Sequence, residues 1–219
     1  MVKLLRIEKR SDQLHIDGYP DAVALKQIGG QVVSELKMVT LHHSDLSFCQ
    51  EALAEISRLD SEKQRLLTDA LWIASIARYF KCFGKSKSRT HLSSKEVLKG
   101  HVGAEDVFSY FKALRDKHII HDENPYSQAF VGVALNRRET RFKIADIISV
   151  AINAFTVDDD HFVQFSKLVG VTLAWVKDKR DELHNRLGKM YEQWNYEDLL
   201  GLPDIKYTAP TSKEVRIKR

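Results

Sequence analysis

The residues best equipped for chemistry sit in one run, Arg115, Asp116, Lys117, His118, His121, Asp122 and Glu123, with Asn124 and Tyr126 just beyond it. At 100° per residue, Val107, Phe111, Leu114, His118 and His121 form one stripe of a helix, and Phe108, Phe111, Arg115, His118 and Asp122 form the next. Both histidines therefore continue an apolar seam, and the arginine borders it. A charged segment that is merely solvated would point away from that seam. These groups must instead be paired, line a cleft or sit at a subunit interface. Histidine moves protons near neutral pH, and a guanidinium grips oxyanions with two parallel hydrogen bonds. Two plainer readings stand beside this one. The run is also what a helix end looks like when cations gather at the negative pole of its dipole. A metal site from His118, His121 and Asp122 has permissible spacing but no fourth ligand, so no metal is expected.

An arginine, a polar residue and a histidine after a short spacer, near the end of a helix, resemble the R-x4-6-H motif of the HEPN superfamily. Arg115, Asp116 and His121 match it with a five-residue spacer, and the run RDKHIIHDEN is similar to HEPN proteins of the abortive-infection type. The residue after the arginine is often asparagine in those families; here it is Asp116. As a helical pattern the resemblance covers roughly 45–195, and its specific part is the motif itself. It implies a mainly α fold, a HEPN-like antiparallel helical bundle with a small β element. It also implies a metal-independent endoribonuclease without cofactor, cutting RNA by attack of the ribose 2′-hydroxyl on the neighbouring phosphate. In that chemistry Arg115 faces the charge developing on phosphorus, His121 moves the proton, and Asp116 completes the catalytic motif. His118, Lys117, Asn124 and Tyr126 are then RNA-binding candidates. The implied setting is a homodimeric toxin or phage-defence factor, with RNA as partner and an antitoxin protein as a further one. The alternative is a non-catalytic HEPN-like module that binds RNA, a nucleotide or a protein.

The elements that must position these groups are read from periodicity. Short strands are expected at 2–7 and 32–40, in an N-terminal extension over 1–44. The helical domain spans 45–200, opening with a helix from Asp45, which Ser44 or Asp45 itself would cap. A second helix over 61–83 has apolar positions on more than one face, which places it centrally in a bundle. The loop after it is basic and polar, and its Lys85, Lys87 and Arg89 are candidate RNA-backbone contacts; Tyr79, Phe80 and Phe83 before it read as core. A short helix at 94–98 and a third helix over 104–121 follow. Two β segments at 128–135 and 140–148 flank the turn Asn136-Arg137-Arg138; a strand followed by the start of a helix fits the same residues. The last helix starts behind Asp158, Asp159 and Asp160, and Gly170 or Gly188 can bend it before Trp194. Residues 201–219 read as a polar basic tail. His42 and His43 point apart and read as a surface loop rather than a chelating pair.

Composition sets the outer limits. The chain has 219 residues, with 43% hydrophobic and 29% charged, enough apolar side chain for a sizeable core. No apolar run approaches the roughly 18 residues of a membrane span, and no signal peptide is apparent. Two cysteines, Cys49 and Cys82, exclude a disulfide framework and point to reducing cytoplasm. A net charge of +4 permits an RNA groove without establishing one.

Overall fold

The computed structural model describes residues 7–10, 13–16, 18–121, 123–205 and 211–216. The fold is mainly helical, with two small two-stranded antiparallel sheets. In the first, β1 (Ile7–Arg10) pairs with β2 (Gln13–Ile16). The strand expected at 2–7 falls almost wholly outside the described residues.

Helix α1 (Gln31–Ile56) overturns two expectations. Residues 32–40, read as a strand, are helical, and the helix does not begin at Asp45 but runs through it. The reason lies in its buried seam: Val39, His42, Leu46, Cys49, Leu53 and Ile56 recur at intervals of three and four. A histidine occupies one of those positions and the buried Asp45 lies beside it, so the apolar rhythm is visible only from Leu46 onward. His42 is consequently a core residue, not part of a surface loop, with 2% of its surface exposed.

Helix α2 (Arg65–Lys81) packs beside α1 and buries Trp72, Ile76, Tyr79 and Phe80. After a turn over 82–93 come α3 (Ser94–Val97) and α4 (Ala104–Leu114), the latter entered through Gly103 in the left-handed region at φ 76°. α4 continues without a break into a π-helical turn, Arg115–Ile120. A hairpin follows, β3 (Ser127–Leu135) against β4 (Ile144–Asn153), so two β segments form rather than a strand and a helix, but the second begins four residues later than the 140–148 expected and runs on to Asn153 because 140–143 belong to the turn. Helix α5 (Asp159–Tyr191) is 33 residues long and unbroken at Gly170 and Gly188, which makes it about 50 Å at 1.5 Å per residue. It is followed by α6 (Tyr196–Leu200) and a 3-10 turn, Ser212–Arg216.

Contacts fix the directions of the bundle. The Tyr191 hydroxyl donates to the Gly29 carbonyl and Lys179 pairs with Glu35, so α5 runs antiparallel to α1. Trp72 Nε1 donates to Thr156 Oγ1 at 3.0 Å and the Tyr79 hydroxyl meets Thr172 Oγ1 at 2.9 Å, so α2 runs parallel to α5. Phe108 lies against Tyr79, Phe111 against Phe165 and Tyr110 against His161, which turns α4 antiparallel to α5. Trp72, Tyr79, Phe80, Phe108, Phe111 and Phe165 form the aromatic centre, mostly edge to face, and such pairs contribute about 0.5–1.5 kcal/mol each beyond area burial. The Trp72–Thr156 bond ties this centre to the segment entering α5. Thr156→Val keeps the shape but leaves a buried indole N–H without its acceptor, and is expected to cost about 1–3 kcal/mol in urea denaturation.

No helix among the described residues is long and apolar enough to cross a membrane.

Candidate functional site

The run from Arg115 to Ile120 lies at the end of a well-buried helix because α4 packs Phe108, Phe111 and Leu114 inward, leaving the chain to emerge polar directly after Leu114. There the hydrogen bonds lengthen: the His121 amide reaches back five residues to the Asp116 carbonyl at 3.2 Å, and the Glu123 amide reaches Lys117 O at 2.9 Å. A π-turn is wider than an α-turn, so the 100° stripe that placed both histidines on one seam does not continue through it. The two part company. His118 stays half-buried, with its ring edge-on to Tyr126 at 5.3 Å between centroids. His121 leaves the helix in extended conformation, φ −123° and ψ 142°, and is exposed.

Arg115 keeps one-third of its side chain exposed and directs Nη1 to Asp116 Oδ1 at 2.5 Å. Its Nε is buried and has no hydrogen-bond partner among the described residues, and the same is true of His118 Nδ1. Lys117 is exposed and Asn124 half-buried; the Asn124 side-chain oxygen accepts the Tyr126 amide at 3.1 Å, so that half of its amide is spent on the turn. Asp122 lies outside the described residues.

Three neighbours complete the cluster. Tyr126 lies against Tyr110, whose hydroxyl is pushed up to about 12, by burial first and by the Tyr126 phenol second. Tyr110 stacks on His161 at 4.7 Å, with ring planes only 9° apart. Asp158 caps α5, accepting the His161 amide at 2.8 Å and His161 Nδ1 at 2.5 Å. These bonds from His161 hold the Asp158 carboxyl below its usual range. His118, Tyr126, Tyr110, His161 and Asp158 thus form a continuous chain beside the π-turn. The carboxylate on Nδ1 and the stacked Tyr110 ring together fix the orientation of the His161 imidazole. Of these, Tyr110 and His161 were not singled out in the sequence; the D-x-x-H spacing of Asp158 and His161, across a helix start, is the signal that could have found the second.

No family model, curated protein or solved structure matches this chain. The assignment of the site therefore rests on its own geometry.

The second expected set of RNA contacts lies elsewhere. Lys85 and Lys87 are exposed, but Arg89 turns into the body: Nη1 meets Asp45 Oδ2 at 2.5 Å and Nη2 donates to His42 Nδ1 at 2.6 Å. His42 Nε2 donates in turn to the Thr90 carbonyl at 2.8 Å. Arg89, expected on an RNA-facing loop, is a latch that closes the loop onto α1. Lys87 and Arg89 line a cavity of about 1190 Å³ with Met38, Trp175 and Lys179. Asp178, on the same wall, is 17 residues along the straight α5 from His161, or about 25 Å by helical rise. The structure does not bring the basic loop to the π-turn.

Proposed function

We propose that this chain is a metal-independent endoribonuclease with a HEPN-like helical bundle, acting as a homodimeric toxin or phage-defence factor in the cytoplasm. The observation that carries this reading is the position of the Arg115–His121 motif. It sits on a π-turn at the end of a buried helix, with Arg115 Nε and His118 Nδ1 buried and without partners. Widened turns of this kind occur frequently at functional sites. In the reaction, the ribose 2′-oxygen forms a bond to the adjacent phosphorus and gives its proton to His121, while the bond to the 5′-oxygen breaks and that oxygen takes up a proton from solvent water. The products are a 2′,3′-cyclic phosphate and a 5′-hydroxyl. Arg115 faces the added negative charge on phosphorus. The His161–Asp158 pair and Tyr110 back the cluster, the Asp158 carboxylate holding the His161 ring against Tyr110.

The Arg115–Asp116 ion pair favours a second reading, a binding module that holds RNA, a nucleotide or an antitoxin protein without cutting. Incubating the purified chain with total RNA, with and without EDTA, separates the two. Cleavage is expected to persist in EDTA, to leave cyclic phosphate ends and to fall at least 100-fold in His121→Ala, within the range of a lost general base. Cleavage abolished by chelation, or wild-type rates in both His121→Ala and Arg115→Ala, sinks the catalytic assignment.

A further inference from the structure

The β3–β4 hairpin is exposed to a degree that its composition does not suit. Every residue of β4 and all but two of β3 are exposed. The pairing puts Phe130 opposite Val150, Gly132 opposite Ile148 and Gln128 opposite Ile152, so one face carries Phe130, Ile148, Val150 and Ile152. Val131 opposite Ser149 and Val133 opposite Ile147 give the other face Val131, Val133 and Ile147. These seven side chains are between 48% and 74% exposed. An antiparallel sheet with one wet face alternates apolar and polar residues; this one is apolar on both. An isolated two-stranded hairpin is marginal in water, and stability normally takes three or more strands. No further strand among the described residues pairs with either outer edge, although on β4 the Ile147 amide donates to Asp146 Oδ1 at 2.8 Å.

The charges say what pairs with it. The tip carries Arg137, Arg138, Arg141 and Lys143 against Glu139, whereas the chain leaving the base of β4 reaches Asp158, Asp159 and Asp160. In an isologous two-fold contact a strand edge meets its own copy antiparallel, which sets tip beside base. The ends of this hairpin are complementary to each other in that antiparallel arrangement, and β4 is the edge that offers itself, being exposed along its whole length and leading directly into the acidic cluster. The same chain also offers an apolar surface to lie against the sheet, since Leu66, Ala70 and Ile73 follow one another at helical spacing on α2 and are exposed.

We propose that the hairpin is a dimerisation arm: β4 pairs edge to edge with β4 of a second copy of this chain, making a four-stranded sheet with each basic tip beside the other copy's Asp158–Asp160 cluster. This shares with the proposed function only the expectation of a homodimer and the residue Asp158, whose carboxylate is already engaged by His161; it does not depend on RNA cleavage. Light scattering on the full chain at micromolar concentration is expected to give twice the 25.2 kDa of one chain. Ile147→Lys with Ile148→Lys, one on each face, is expected to halve that mass while helical circular dichroism stays unchanged. Ser149 lies near the middle of β4, where the two-fold axis passes, so Ser149→Cys is expected to crosslink to its own copy. Cys49 and Cys82 are buried and free, which leaves the wild-type chain as a clean control. A wild-type monomer overturns the proposal, including one whose hairpin instead binds RNA or anionic vesicles. A dimer that survives the lysine pair, or that does not crosslink through Ser149→Cys, overturns it as well.

Discussion

Asp45→Ala is expected to destabilise the fold by about 3–5 kcal/mol, the range for stranding a buried charge. The carboxylate faces three cations, and they differ in what they can do without it. Arg78 and Lys81, at 3.8 and 3.3 Å, are 46% and 61% exposed and can turn to water. Arg89 is 11% exposed and held on its other side by His42, so it cannot. Its charge then has only neutral groups beside it among the described residues, the His42 imidazole and the Cys82 thiol. The double variant Asp45→Ala, Arg89→Met is expected to recover most of the loss, because the charge that carries the penalty is gone. Urea denaturation followed by helical circular dichroism checks both; a single variant within about 1 kcal/mol of wild type, the level of an exposed pair, means that the cluster is not buried in effect. The latch also has a pH signature. Burial first, and the neighbouring Arg89 second, bring the His42 pKa down from 6.5 to about 4. The unfolded chain therefore binds a proton on His42 that the folded one refuses. The contribution is fully present above pH 6.5, declines as pH falls toward 4, and amounts to roughly 3 kcal/mol at most. His42→Asn is expected to flatten that part of the stability profile.

How much of this could be read from the sequence depended on whether polar residues interrupted the apolar rhythm. The helices expected at 61–83 and 104–121 were legible in kind because their apolar periods run clean, though the first is Arg65–Lys81 and the second turns π-helical after Leu114; the hairpin was legible as one of two readings, with its second strand placed too early. α1 was not, since His42 and Asp45 are buried only by virtue of Arg89, a residue 44 positions away from Asp45 that no local pattern connects to it. The polar run at Arg115 stood out by residue type and spacing, but its geometry did not, because a π-turn leaves no mark in a 100° projection. The stripe that joined His118 to His121 is the casualty. Tyr110 and His161 escaped notice for a related reason: each looks like an ordinary helix residue until α4 and α5 are packed against each other. The apolar positions of the hairpin were visible as strands, but only the cross-strand register reveals that both faces are apolar.

Arg115→Ala is expected to lower RNA cleavage by about 10²–10³-fold, the cost of removing one positioned donor to a developing oxyanion. The more informative change is next to it. Asp116 holds Arg115 Nη1 in the free chain, so a phosphate entering the site competes with a carboxylate for the same donor. Asp116→Asn keeps an oxygen to accept the hydrogen bond and removes the competing charge. It is expected to tighten RNA binding and speed cleavage several-fold, with a steeper dependence on salt as one more phosphate contact forms. Neither change should unfold the protein, because a pair with side chains 33% and 40% exposed contributes about 0–1 kcal/mol. Arg115→Lys tells geometry from charge: a lysine supplies a point charge without the fork, and should leave activity close to that of Arg115→Ala. If Asp116→Asn instead abolishes cleavage as completely as Arg115→Ala does, the carboxylate is not a competitor. It would then belong to the reaction itself, holding the guanidinium in its working orientation or taking the proton.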